Sequence, residues 1–337
     1  MGKRYKCLLI GLGQRAIDDH LPVLMSNALG IELMAVCDCE KNKREILEKI
    51  FSEKNKPMPN FYNDLDEMLL KEKPDFAIIA TPHLTHFKIA EKLIKNKIPF
   101  LKEKPFAINL QEALALKELI EKNKVYFRLC VQRRFHPLYV YAHKALFHLN
   151  GIRHFDAHYQ LHANAYYTGW RSTPEESGGG CVMDMGYHYV DLLYWYFGIP
   201  EQIFSVAAPK NHDNLSYSIE ETTITSFKYR DGLVGNLFLS LCESQKFEEL
   251  KVYGKSGSIQ LQREFLKRFD NDNNLVESLT RTPAWPSAVA EVLHDFIDNF
   301  DDFEIVKNEC KAGVAVIKMI DAIYSSIKEK KSIIISN

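Results

Sequence analysis

Tyr5-Lys6-Cys7-Leu8-Leu9-Ile10-Gly11-Leu12-Gly13-Gln14-Arg15-Ala16 is the stretch that decides how this chain folds. A short apolar run stops at one glycine, and a second glycine follows two residues later. Such a run, without polar alternation, is a strand buried on both faces. Residues 14–29 then read as a helix, and residues 31–37 as a second strand ending at Asp38. The pattern Gly11-x-Gly13-x-x-Ala16 therefore sits between strand and helix. Gly11 permits a tight turn, Gly13 lets the backbone approach a pyrophosphate, and Ala16 takes the small position where helix packs on strand. The start of the helix, at Gln14 and Arg15, offers free N–H groups and a partial positive charge to phosphates. Asp38, about 20 residues further on, completes the fingerprint of a dinucleotide site. Its carboxylate is placed to accept from both adenosine ribose hydroxyls and to repel a 2′-phosphate. That favours NAD over NADP, although the nearby Lys41, Lys43 and Arg44 soften the preference and leave NADP possible.

Working outward, two periodicities alternate over the first 130 residues. Helical spacing marks 41–54, 64–71 (stopped by Pro74), 86–97 and 110–122; short apolar runs mark strands at 75–81, 98–102 and 125–131. Strand–helix alternation of this kind means a doubly wound parallel sheet, an α/β Rossmann domain with right-handed crossovers. The remainder differs. Strands at 152–161, 222–229, 233–241, 247–253 and 258–262 follow one another with few helices between, and Arg230-Asp231-Gly232 makes a tight turn. A helix at 184–197 precedes most of them, a helix pair at 288–300 and 310–328 follows, and 333–335 adds a last strand. The expectation is an α+β domain with a large, mostly antiparallel, open-faced sheet. The division falls at 1–130 and 131–337, with the C-terminal helices packing back toward the first domain. An apolar open face would be a large exposed patch, so a homodimer or homotetramer formed through it is expected.

The 337-residue length fits two domains. A formal net charge of −1 gives no general attraction to nucleic acid or to an anionic membrane. The seven cysteines are scattered and odd in number, which points to a reducing compartment without a disulfide framework. The apolar run after the basic N-terminus is too short for a signal-peptide core, and no stretch is long enough to span a bilayer. A soluble, cytoplasmic protein without membrane or nucleic-acid partners is the expectation.

Three further clusters carry chemistry. Ala80-Thr81-Pro82-His83 ends the third long strand, with His86 three residues on; Lys102-Glu103-Lys104-Pro105 ends the next; Gly178-Gly179-Gly180-Cys181-Val182-Met183-Asp184-Met185-Gly186-Tyr187-His188 leads toward Asp191. The first two stand at the carboxyl ends of strands, where this fold places ligands. Together with Gln132-Arg133-Arg134-Phe135, Gly169-Trp170-Arg171 and 254–259, they resemble the Gfo/Idh/MocA family, the glucose–fructose oxidoreductase and inositol dehydrogenase group, over nearly the whole chain. The resemblance implies that Lys104 is the catalytic lysine, that His188 is the acid/base and that Asp184 orients substrate. It also implies that Thr81, Pro82, His83, His86, Glu103 and Lys104 line the cofactor, and that no metal takes part. The chemistry is coherent independently of the family. Oxidising a secondary alcohol requires a base that titrates near neutrality, which suits histidine, and a cation beside the developing alkoxide, which suits lysine. Asp184 and His188 lie four apart, so a helix would turn both the same way.

Tyr159, Tyr166, Tyr167, Trp170 and Arg171 cluster before that helix, and aromatic faces with polar tips suit sugar or cyclitol rings. Arg134 or Arg171 would pair with a carboxylate or phosphate. His154, His158 and His162 share one strand face, but at a spacing that is not a common metal site. The leading reading is an NAD(P)-dependent dehydrogenase acting on a sugar, polyol, cyclitol or nucleotide sugar. The alternatives are a reductase of an aromatic, dihydrodiol or biliverdin-like substrate, and a catalytically silent NAD sensor. The presence of both Lys104 and His188 counts against the sensor. Replacing Asp38 with Ser or Ala is expected to move activity toward NADP; an unchanged NAD/NADP ratio would remove Asp38 from the ribose.

Overall fold

β1 (Tyr5–Ile10) is buried from Cys7 onward because strands flank it on both sides. β2 (Ile31–Cys37) and β4 (Phe76–Ile79) are those neighbours, both parallel to it; β3 (Asn60–Tyr62), β5 (Phe100–Glu103) and β6 (Phe127–Cys130) complete a wholly parallel sheet in the order β3-β2-β1-β4-β5-β6. The strand order reverses between β1 and β4, and the carboxyl ends of these two strands open the crevice in which such sheets bind ligands. A computed structural model describes residues 4–26, 29–163, 168–210, 217–281, 285–300 and 302–335 of this chain. The sheet belongs to the first of two compact units, made of Met1–Lys104, Ala115–Cys130 and Ala284–Cys310; the second comprises Pro105–Leu114, Val131–Pro283 and Lys311–Asn337.

Within the first unit, residues 14–25 are helical, with a π-helical turn at Ala16–His20 ahead of Leu21–Met25. Asp64 caps the helix Leu65–Lys71 by accepting the Glu67 N–H at 2.8 Å. The helix Trp285–Asp298, far along the chain, belongs here too. The Phe296 ring lies 5.1 Å from Phe76 and 5.0 Å from Tyr126, and Arg128 pairs with Asp295.

The second unit carries a nine-stranded sheet. Its strands are β7 (Ile152–His162), β8 (Gln202–Ala207), β9 (Thr222–Lys228), β10 (Val234–Ser240), β11 (Cys242–Gly254), β12 (Gly257–Gln262), β13 (Phe265–Phe269), β14 (Leu275–Thr280) and β15 (Ile333–Ile334), in the order β14-β13-β12-β11-β7-β10-β9-β8-β15. All pairs are antiparallel except β7 with β10. Register sorts the residues into rows. Ala207, Thr223, Leu239, Tyr159 and Glu248 form one row of the covered face, against which the helix Tyr187–Phe197 packs, with Phe197 stacked on Phe155 at 5.0 Å. The opposite face shows Val206, Ile224, Phe238 and His158 in one row, and Phe204, Val206, Ile224 and Val234 are exposed on it. No helix among the described residues is long and apolar enough to cross a membrane, and all seven cysteines are free thiols.

The strands and longer helix not anticipated from the sequence are β3, β8, β13, β14 and Pro137–Ala145, and short helical turns such as Pro174–Ser177 join them. The helix expected from residue 184 begins at Tyr187 instead. Asp184 stands in the preceding turn, where its N–H donates to the Gly180 carbonyl and that of Gly186 to Cys181. A helix therefore does not align Asp184 with His188, because only His188 is helical.

Candidate functional site

Gly11 occupies the left-handed region at φ +94°, and an added Cβ would stand 2.5 Å from the Ala80 carbonyl oxygen. No other residue type fits where β1 and β4 approach so closely. At Gly13 an added Cβ would meet no protein atom within 4 Å, so the protein itself does not require glycine there. That pattern fits a glycine kept for the close approach of a pyrophosphate. Ala16 is fully buried. Asp38 Oδ2 accepts the Leu12 N–H at 2.7 Å and Oδ1 accepts the Glu40 N–H at 2.9 Å. The acid at the end of β2 thus braces the glycine loop and keeps lone pairs able to accept further hydrogen bonds.

The π-helical turn brings Asp19 and His20 inside. His20 Nε2 donates to Glu103 Oε1 at 2.8 Å, and Arg15 lies between Asp19 (2.5 Å) and Glu103 (3.5 Å). Gln14 Nε2 donates to Asp18. Burial by itself would push the Glu103 carboxyl up, but the Arg15 guanidinium and the His20 hydrogen bond outweigh it and hold it down at about 2. The Arg15 guanidinium, which burial would lower, is raised by Glu103 and Asp19. Glu103, expected beside the cofactor, therefore spends its charge on tying the first helix to the end of β5.

The end of β4 is pinned similarly. His86 Nε2 donates to the Thr81 carbonyl at 2.8 Å, and Lys102 Nζ donates to His86 Nδ1 at 3.1 Å. An ammonium only donates, so the ring is the neutral Nε2–H tautomer. Burial, then Lys102 and His83, lower its pKa well below the usual histidine value. His83 is buried with its ring 5.8 Å from His86, and Thr85 Oγ1 donates to the Pro82 carbonyl. Lys104 follows β5 directly and is partly buried.

In the second unit, Arg171 Nε donates to Asp184 Oδ2 at 2.9 Å, with its guanidinium 4.1 Å above the Trp170 ring. Asp184 is buried. Arg134 makes a two-pronged pair with buried Asp191, at 2.9 and 2.6 Å, which joins the Gln132–Phe135 turn to the His188 helix. Phe106 N–H donates to Tyr187 Oη at 3.3 Å. Tyr159 lies on the covered sheet face against Arg133, 5.2 Å from the guanidinium; Tyr139 and Tyr189 complete a cage around that cation, and Glu248 pairs with it. Arg133 and its hydrogen bond outweigh burial and lower the Glu248 pKa. Tyr166 and Tyr167 lie outside the described residues. His154 stacks on Tyr253 at 4.3 Å and His158 packs by Phe238 at 5.6 Å.

The sequence motifs do not mark His20, Glu248, Glu220 or Tyr324. Glu248 was legible, since it alternates in phase with the buried Leu250 and Val252. Glu220 and Tyr324, joined by a hydrogen bond across 104 positions, leave no local signal.

Residues 5–130 match an oxidoreductase family with an NAD-binding Rossmann fold, and residues 149–260 match the GFO/IDH/MocA C-terminal domain. The chain belongs to the Gfo/Idh/MocA family. It is an NAD-binding oxidoreductase of the dehydrogenase kind. The scyllo-inositol 2-dehydrogenase (NAD(+)) of Bacillus subtilis is 25% identical over 271 residues, 77% of this chain and 74% of that protein. The WlbA dehydrogenase of Bordetella pertussis, solved with NADH and UDP-GlcNAcA, is 19% identical with a TM-score of 0.79, covering 99% of this chain and 100% of that one. A levoglucosan dehydrogenase solved with NADH and levoglucosan is 15% identical with a TM-score of 0.84, at the same coverage. Identities this low show a shared fold. Several other relatives are matched over only about half of their own length.

The depressed Glu103 pKa has a pH consequence. Its folded-state value lies below the unfolded one, so its stabilisation is complete above pH 4.5 and lost as pH falls toward about 2. Glu103→Gln is expected to cost at most roughly 3 kcal/mol at pH 7. In urea denaturation that cost shrinks by pH 3; an equal cost at both pH values would show that the interaction is not ionic.

Proposed function

We propose that the chain interconverts a secondary alcohol and a ketone on a sugar, polyol, cyclitol or nucleotide sugar, with Lys104, Asp184 and His188 as the residues that handle substrate. NAD, when bound by the glycine loop and Asp38, supplies the hydride acceptor. His188 takes the hydroxyl proton, the role that an imidazole suits best among these three side chains. Lys104 donates a hydrogen bond to the reacting oxygen and stabilises its negative charge. Asp184, paired with Arg171, orients substrate hydroxyls. Arg171 and Trp170 present a cation on an aromatic face, a combination suited to a ring bearing an anionic group. Arg134 enters this reading only through Asp191, its partner on the His188 helix.

The observation that carries the reading is the hydrogen bond from Phe106 to Tyr187. Phe106 follows Lys104 by two residues, and Tyr187 precedes His188 by one, so within the second unit this bond joins the segment after Lys104 to the start of the His188 helix. The relatives crystallised with levoglucosan and UDP-GlcNAcA, and the inositol dehydrogenase, support a carbohydrate-like substrate.

A panel of sugars, cyclitols and nucleotide sugars, followed by NADH absorbance, tests the substrate class. Lys104→Ala and His188→Ala should each lower turnover by about 100-fold or more while NADH still binds, as read by its fluorescence. Near-normal turnover in both variants would overturn the assignment.

A second copy of the chain covers the open sheet face in this reading, because Phe204, Val206, Ile224 and Val234 are large apolar groups left exposed on it. Light scattering should return a dimer or tetramer, and Ile224→Lys should shift it toward monomer. A wild-type monomer at micromolar concentration would contradict this.

A further inference from the structure

Four consecutive backbone N–H groups just before Asp184 are satisfied by two residues distant in sequence. Glu220 Oε2 accepts from Gly180 at 2.9 Å, and Oε1 accepts from Val182 at 2.9 Å. The Glu220 carbonyl accepts from Cys181 at 2.9 Å. Tyr324 Oη accepts from Met183 at 3.1 Å and donates to Glu220 Oε1 at 2.9 Å. The next N–H, that of Asp184, turns back to the Gly180 carbonyl at 3.0 Å.

The glycine run is shaped to this clamp. A Cβ on Gly179 would stand 1.8 Å from Tyr324 Oη, and one on Gly180 would stand 2.1 Å from the Glu220 carbonyl oxygen. These glycines are thus spent on contact with Glu220 and Tyr324. A carboxylate is the side chain that can do this work, since its two oxygens accept and offer no donor. Burial raises the Glu220 pKa, and the N–H groups of Val182 and Gly180 and the Tyr324 hydroxyl, all bonded to its carboxylate oxygens, oppose that rise.

We propose that Glu220 and Tyr324 are positioning residues that fix the 180–183 turn and, through it, set Asp184 and His188 for the reaction. This rests on the roles given to Asp184 and His188 above. Neither Glu220 nor Tyr324 needs to touch substrate. Their effect is geometric, and misplacement of a reacting group by about 1 Å costs on the order of 100-fold in rate.

The test uses the full chain with Tyr324→Phe, which deletes one hydroxyl, and Glu220→Gln, which turns an acceptor into a donor facing a donor. Hydrogen–deuterium exchange of the 178–188 segment reads the clamp directly. Exchange of amides 180–183 should quicken about ten-fold in either variant, the scale of one lost hydrogen bond to a charged group. With the best sugar from the panel, kcat should fall at least about ten-fold, while NADH affinity and melting temperature stay near wild type. Glu220→Asp, which keeps both acceptor oxygens, should retain more activity than Glu220→Gln. Unchanged exchange overturns the clamp. Faster exchange with undiminished kcat, or Glu220→Gln outperforming Glu220→Asp, overturns the positioning role alone. A wild-type protein that turns over nothing on the panel overturns the functional reading and the positioning role with it.

Discussion

A wholly parallel sheet must be roofed on both faces, since each of its connections is a crossover and its strands are apolar on both sides. The first unit follows from that constraint. It makes β1 and β4 continuous apolar runs. It sends all six strands the same way, so that their carboxyl ends gather the turns after β1, β4 and β5 along one edge. It also explains why the helix Trp285–Asp298 belongs to this unit, with Phe296 against Phe76 and Tyr126.

Within each unit, buried acids hold the turns that carry the candidate chemistry. Glu103 joins the first helix to the end of β5 through His20 and Arg15. Asp191 holds the Arg134 turn, Asp184 holds Arg171, and Glu248 holds the caged Arg133. Burying such pairs costs desolvation, and an apolar replacement of equal volume often stabilises as much. What they add is directionality. A bidentate guanidinium–carboxylate pair accepts few geometries, and a turn at the end of a strand has little else to define it.

The parts of the fold legible in sequence were those with a strong periodic signal. β1 and β2 have the bounds their apolar runs imply. β8 was illegible because Ile203-Phe204-Ser205-Val206 places apolar residues on the outer face and a serine on the inner one, which erases alternation. β3 is a three-residue edge strand, and β13 and β14 mix charged with apolar residues at the far end of their sheet. At the candidate site, the glycine loop and Asp38 were legible because close backbone approach leaves a chemical signature at fixed spacing. The start of the His188 helix was not, because a turn held by Glu220 and Tyr324 replaces the helical turn that local pattern implied.

The sequence by itself determined the two-sheet architecture, the dinucleotide loop and the order of the Lys104, Asp184 and His188 motifs along the chain. Each of these rests on local spacing: side-chain periodicity, a strand–glycine–helix junction, or residues held within one short segment. Only the tertiary structure decided that Glu103 turns inward to His20, that Asp184 leaves the helix to meet Arg171, and that Tyr324 reaches Glu220. Those choices depend on satisfying buried polar groups with partners 13 to 104 positions away. No local pattern encodes that pairing, because what selects a partner is the desolvation cost of leaving a charge or an N–H alone.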